Sequence, residues 1–204
     1  MKGICLVLGL LMLALIWAGP LLSAWRDSFA AHMFAHMGVV AVAAPLIAIG
    51  LAGRMRPVNP SLPVVASLVE LVVVWGWHAP AARQWAQASV SATILEQASF
   101  LLAGLFLWLT SIAPAQTPAR SAAGAFALLL TSIHMTLLGA LLSLAPRPLY
   151  AAGEVTCFGI VLDAGQDQAL GGVVMLAIGA AVYLAGGVVL LSRLLSDRGE
   201  RLAG

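Results

Sequence analysis

Six apolar stretches, each close to the length that crosses a bilayer, constrain this chain more than any other feature. They run at about residues 3–18, 30–52, 63–78, 92–112, 121–145 and 171–192. A helix needs roughly 20 apolar residues to cross ~30 Å of hydrocarbon. Most of the stretches approach that length, and the short first and third can extend into neighbouring residues. Gly19-Pro20 closes the first and Pro146 ends the fifth. None shows the period-2 alternation of a barrel strand, and only helices and closed barrels satisfy their own backbone in lipid. The expected fold is therefore all-α: a single polytopic transmembrane bundle of six helices filling residues 1–204. Composition agrees, because 9% charged residues against 62% hydrophobic ones cannot cover a soluble domain of this size. The lipid bilayer is the solvent.

Basic residues set the orientation. With a cytoplasmic N-terminus, Lys2, Arg54, Arg56, Arg120, Arg193, Arg198 and Arg201 fall inside, while Arg26, Arg83 and Arg147 fall outside. Cytoplasmic loops carry the excess of Lys and Arg, so both termini are expected in the cytoplasm. The formal charge of +2 is scattered rather than gathered in a stripe, which argues against nucleic acid. Cys5 and Cys157 fall on opposite sides of the membrane, and there is no CxxC. Thiol redox chemistry and a cysteine metal cage are thereby disfavoured. Residues 1–24, with Lys2, an apolar core and Ser23-Ala24, also resemble a signal peptide, whose removal would leave five helices in the same orientation. The segment 146–170 is the longest outer loop and the most polar, carrying Glu154, Asp163, Asp167 and Gln168.

The four histidines, His32, His36, His78 and His134, all fall in the outer half of the membrane or near its middle. His32 and His36 are four apart, so they share a helical face about 6 Å apart along the axis. That spacing lets two imidazoles bind one ion; equally, such residues can simply hydrogen-bond headgroups or a neighbouring helix. Met33 and Met37 repeat the spacing. Thioether sulfur favours Cu(I), while imidazole suits copper, zinc and iron; packing is the competing role for both methionines. Glu70 and Glu96 interrupt apolar runs, where a carboxylate is costly and usually functional. Glu96 lies at a depth comparable to His36, placed to offset a metal's charge or orient a histidine. Glu70 lies nearer the middle of its helix and is expected to pair with a polar neighbour. Asp167 and Gln168 are read as immediately preceding the last helix, which is expected to begin at Gly171-Gly172. Small glycines there would let Asp167 reach over the histidines and accept an imidazole N–H. No nucleophile–base pair stands out, so no enzyme is expected.

These segments together resemble the polytopic CtaG-type cytochrome c oxidase assembly-factor family of bacteria. The matching residues are His32-Met33-Phe34-Ala35-His36-Met37 followed by Ala44-Pro45-Leu46, then Trp77-His78-Ala79-Pro80, and Leu95-Glu96-Gln97 with Gly104 and Trp108. They continue with His134-Met135 and Leu138-Gly139, Pro148-Leu149-Tyr150, and Asp167-Gln168-Ala169-Leu170-Gly171-Gly172. Two departures are visible: Gln97 stands where the family pattern commonly has a histidine, and six apolar stretches replace seven. The family is distinct from the single-helix periplasmic copper chaperone that shares the CtaG name.

The resemblance implies a multi-pass protein of the bacterial inner (plasma) membrane that helps mature a haem–copper oxidase. Copper would be handled at the outer, periplasmic face, with oxidase subunits or other assembly factors as partners. The expected copper ligands are His32, His36, His78 and His134, with Met33 or Met37. Glu96, Asp167 and Gln168 would stand behind them or line the outer entrance. Two other readings stay open: a b-type haem electron-transfer protein, and a metal-free transporter or scaffold. His32 and His36 could not be opposite axial ligands of one haem, because they share a face.

Overall fold

The computed structural model describes residues 1–19, 21–114, 117–150 and 153–203; of residues 21 and 197–203 it describes the backbone alone. Pro20, expected to close the first stretch, and the side chains of Arg198 and Arg201, counted in the charge bias, lie outside the described residues.

Among the described residues seven helices follow one another: α1 (Lys2–Ala18), α2 (Phe29–Arg54), α3 (Leu62–Trp77), α4 (Pro80–Ala88), α5 (Val90–Ile112), α6 (Pro118–Ser143) and α7 (Ala164–Ser196). A single extra turn at Leu21–Ala24 links the first two. Proline stands in the first turn of α3, α4 and α6, where its missing N–H costs nothing. Five of the described helices are long and apolar enough to span a membrane, and α3 with α4 makes a sixth if the bent pair counts as one. The expected α-helical bundle is therefore present.

The third stretch does not stop at His78. It bends by 72° and restarts as α4. Pro80 blocks continuation of α3 but suits the start of the next helix. The bend is held by stacking of Trp77 on Trp85 (centroids 5.7 Å apart) and by Trp77 Nε1 donating to Ser99 Oγ at 2.8 Å.

The lateral faces carry exposed Leu8, Leu11, Leu15, Val72, Leu102 and Leu137, while the interior holds alanines, methionines and polar groups. This inverts a soluble protein and follows from lipid as solvent. Close helix approach then supplies the packing. A Cβ on Gly9 would meet Ile47 at 2.8 Å, and one on Gly139 would meet the Gly172 carbonyl oxygen at 2.7 Å. Helix α1 buries little besides Gly9 and Ile16 and lies along the flank of α2.

Two helices widen locally. Residues Gly38–Ala43 of α2 and Ala180–Leu184 of α7 are π-helical. Pro45 supplies a cause for the first. In a regular helix its ring would strike the carbonyl of Ala41, and shifting to the wider turn relieves that. The Ala44 N–H goes instead to the Val39 oxygen, and Pro45 has no N–H to offer Val40. The Val40 carbonyl is left for other helices. Trp108 Nε1 of α5 and the Tyr183 hydroxyl of α7 both lie 3.2 Å from it.

The segment between α6 and α7, expected as a loop, contains a β-hairpin. Strands β1 (Glu154–Cys157) and β2 (Ile160–Asp163) pair antiparallel, Glu154 opposite Asp163 and Cys157 opposite Ile160. The turn residues Phe158 and Gly159 both have positive φ, 49° and 81°, as a two-residue hairpin turn of the primed type requires. Cys157 packs on Ala30 and Ala31, and Phe158 packs against Trp25 and Phe34. The hairpin thus folds over the first turns of α2.

Helix α7 starts at Ala164, seven residues before the expected Gly171. Asp163 and Gln166 form a capping box there, satisfying the first backbone N–H groups. Asp167 and Gln168 therefore lie inside the helix, not ahead of it.

Candidate functional site

Ser28 caps α2, its hydroxyl oxygen accepting from Ala31 N at 3.1 Å. Helix α7 reinforces the same end. The Asp167 carboxylate accepts from the Ser28 hydroxyl (2.7 Å), Phe29 N (2.6 Å) and Ala30 N (3.2 Å). An anion at a helix N-terminus satisfies orphan donors and complements the dipole. Asp167 acts on the helix end that carries the histidines; its bonds go to the Ser28 hydroxyl and to two backbone N–H groups rather than to an imidazole. Gln168 is a staple: Leu149 N donates to its Oε1 at 2.7 Å, and its Nε2 donates to Leu142 O at 3.1 Å. Both residues brace the hairpin end of the bundle.

On that braced turn His32 and His36 point inward and are buried. His78 reaches them from the end of α3, and Glu96 and Phe100 from α5. The Phe100 ring is the hub, with its centroid 4.0 Å from that of His36 and 6.4 Å from those of His32 and His78. The rings of His36 and His78 stand 5.4 Å apart, edge to face. His32 Nε2 lies 3.4 Å from Glu96 Oε1, and Arg83 Nη1 of α4 lies 3.8 Å from the same oxygen. Arg83, counted from the sequence as an outer-loop charge, is buried here. A cavity of about 30 Å³ opens beside this trio, lined by Leu22, Trp25, Arg26, His32, Arg83 and Glu96. That is room for a water or a small ion.

His78 shows the most informative geometry. Its Nδ1 lies 2.6 Å from the Val74 carbonyl oxygen, which can only accept, so in the neutral ring the proton sits on Nδ1. Nε2 is then a lone pair facing the Met33 sulfur at 3.3 Å. Neither atom has a proton for the other. A nitrogen and a sulfur bonded to one ion at ~2.0 and ~2.3 Å stand ~3.3–3.5 Å apart at a near-tetrahedral angle. His36 is equally open, for both of its ring nitrogens are buried without a hydrogen-bond partner. The Tyr150 hydroxyl donates to the His78 carbonyl at 2.8 Å, and its ring stacks on Phe29. Burial pushes that phenol up to about 12, so it remains a donor at neutral pH.

The other expected residues lie apart from this group. Met37 is buried one turn deeper, its methyl near Gly179. His134 sits on α6, one turn from Thr131, with both nitrogens unpaired. Gln97 lines a separate groove with Trp17, Leu22 and Ile94. Among the described residues no group of three or more His, Cys, Asp and Glu side chains is already drawn together to hold a metal ion. Sequence reasoning missed Phe100 and the inward turn of Arg83, and gave Tyr150 no role beyond its place in the resemblance. An arginine only three residues past a helix-breaking proline was the available signal for that turn.

The family model described as cytochrome c oxidase caa3 assembly factor (Caa3_CtaG) matches residues 2–197. The chain belongs to this family. No curated protein and no solved structure matches it. Membership ties it to the assembly of a cytochrome c oxidase, and hence to oxidase components or their assembly machinery. Its apolar helices make it a multi-pass membrane protein. Every segment quoted for the resemblance lies within the matched range, including the His32–Met37 turn and the Trp77-His78-Ala79-Pro80 bend.

Proposed function

We propose that this assembly factor takes up copper in the layer formed by His32, His36, His78 and Met33, and passes it to the oxidase as cargo. The observation that carries the reading is the His78 Nε2 lone pair, set against the Met33 sulfur at 3.3 Å beside the unpaired His36 ring. Imidazole and thioether together suit Cu(I). Val74 fixes the His78 tautomer, as a backbone carbonyl often does for a metal-binding histidine. Glu96 balances the added charge and orients His32. Arg83 tempers that carboxylate, so the layer is not so acidic as to trap the ion. Asp167 acts by holding the α2 turn in place. His134 and Met37, one layer deeper, would receive the ion only if it moved inward.

His36→Ala is expected to lower bound copper more than His32→Ala, because the deeper imidazole is harder for water to replace and its loss strands partners in a dry site. Elemental analysis and an absorption spectrum of purified full-length protein read this out. Equal metal content in wild type and both variants would remove the pair from the site, and a Soret band would replace copper by haem.

The orientation belongs to the same proposal. Lys2, Arg54, Arg56, Arg120 and Arg193 lie toward the end opposite the hairpin, which the positive-inside rule places in the cytoplasm. Both termini are then cytoplasmic, and the histidine layer faces the periplasm. A cysteine introduced in 53–62 should be shielded from impermeant thiol reagents in intact cells, and one in 153–160 should be labelled. The reverse pattern would put the histidines on the cytoplasmic side.

A further inference from the structure

A second buried polar centre lies deeper in the bundle, where the two π-helical segments meet. Glu70 of α3 is fully buried, and its Oε1 lies 2.8 Å from the Tyr183 hydroxyl. That hydroxyl also lies 3.2 Å from the Val40 carbonyl oxygen. Tyr183 stacks on Trp108, with centroids 5.6 Å apart. The Val40 oxygen also accepts from Trp108 Nε1, whereas Glu70 Oε2 is buried with no hydrogen-bond partner. A carbonyl oxygen and a carboxylate are both acceptors, and a phenol has one hydrogen. An ionised Glu70 would draw that hydrogen from Val40, leaving Val40 with Trp108 alone and a buried charge with one oxygen unpartnered. A protonated Glu70 completes a chain, donating to the Tyr183 oxygen while Tyr183 donates to Val40. No cation compensates a charge here: among the described residues the ion pairs within 4 Å all involve Glu96. The groups facing Glu70 are Tyr183 from α7, Thr131 from α6 with His134 one turn further along, Trp108 from α5 and the Val40 carbonyl from α2. Ser67 of α3 is occupied with Thr131 at 2.8 Å.

We propose that Glu70 is a proton-binding site within the membrane, a neutral carboxylic acid whose proton locks the π segment of α2 to that of α7 through Tyr183. Losing the proton turns the Tyr183 hydrogen to Glu70 and leaves Val40 with Trp108 alone, so the hydrogen bond that ties α2 to α7 is lost and the two helices are freed to shift. Helix α2 carries His32 and His36 and helix α7 carries Asp167, so proton loading at Glu70 governs the helices that form the histidine layer. The Glu70 site stands on its burial, its unpartnered oxygen and its lack of an ion pair among the described residues, whether or not copper is the cargo.

Infrared spectroscopy of the full-length protein at neutral pH tests this. The carboxylic acid C=O stretch of wild type should lose one carboxyl's intensity in Glu70→Gln. Unchanged intensity in that variant, or no acid band in wild type, overturns the proposal. Tyr183→Phe keeps the acid and removes its acceptor, so the band should move to higher frequency without losing intensity; an unmoved band also overturns it. This second variant serves if Glu70→Gln fails to fold. Spectra in sodium-free and sodium-containing buffer should coincide. An acid band that appears only when sodium is withdrawn would make the site a cation site and overturn the proton assignment. Copper content plays no part in these readouts, so failure here is distinct from failure of the copper reading.

Discussion

Replacing Glu96 by alanine is expected to destabilise the protein by about 3–5 kcal/mol, the usual effect of leaving a buried charge without its partner. Arg83 is the stranded group. It is buried, Glu96 is its ion-pair partner at 3.8 Å, and its Nε has no hydrogen-bond partner. His32 loses its neighbouring carboxylate in the same change. Copper affinity should fall by roughly 10–100-fold, the common consequence of removing a group that orients a metal-binding histidine. The two effects can be separated. Converting both Glu96 and Arg83 to methionine removes the pair together, which for buried pairs is often neutral or stabilising. The double variant should recover thermal stability and still bind copper weakly. If it binds copper as wild type does, Glu96 has no part in the site.

The second large effect is expected at Asp167. Asp167→Ala strands the Ser28 hydroxyl and the Phe29 and Ala30 N–H groups, all buried. A buried donor left unsatisfied costs ~1–3 kcal/mol, so the total should reach ~3 kcal/mol or more. Asp167→Asn should cost less, ~1–3 kcal/mol, because one oxygen still accepts while the amide NH2 meets a donor. Both variants should loosen the first turn of α2 before the rest of the bundle. Hydrogen exchange at residues 29–32 reads this directly. Protection unchanged from wild type in Asp167→Ala would show that Ser28 alone holds the turn.

Much of the fold was legible because each spanning helix advertises itself by a long apolar run, and the positions of α2, α5 and α6 follow the hydropathy within a few residues. The hairpin was not legible. Its strands are four residues each, and its turn puts Phe158 at positive φ, where glycine or asparagine is the usual signal. The start of α7 was legible in principle from Asp163 and Gln166, a capping-box pair of which Asp163 was read as loop polarity and Gln166 was passed over. At the site, His32, Met33, His36 and Glu96 could be placed by spacing and depth along their helices. The partners of Asp167 could not, since they lie 137–139 residues away in sequence and helix N-termini accept any nearby anion. Arg83 was misplaced for a related reason: a lone basic residue between apolar stretches serves equally as a topology marker and as half of a buried ion pair. Only the bend at Ala79 turns it inward.

The brace that Asp167 places on α2 has a consequence for biosynthesis. Helix α2 leaves the ribosome before α3, α4, α5 and α6, and α7 follows them, so the turn bearing His32 waits through the making of four helices before the Asp167 brace arrives. Until then its leading N–H groups rely on Ser28 and on whatever water or headgroup reaches them. A nascent chain arrested before residue 164 therefore presents His32 on a frayed turn.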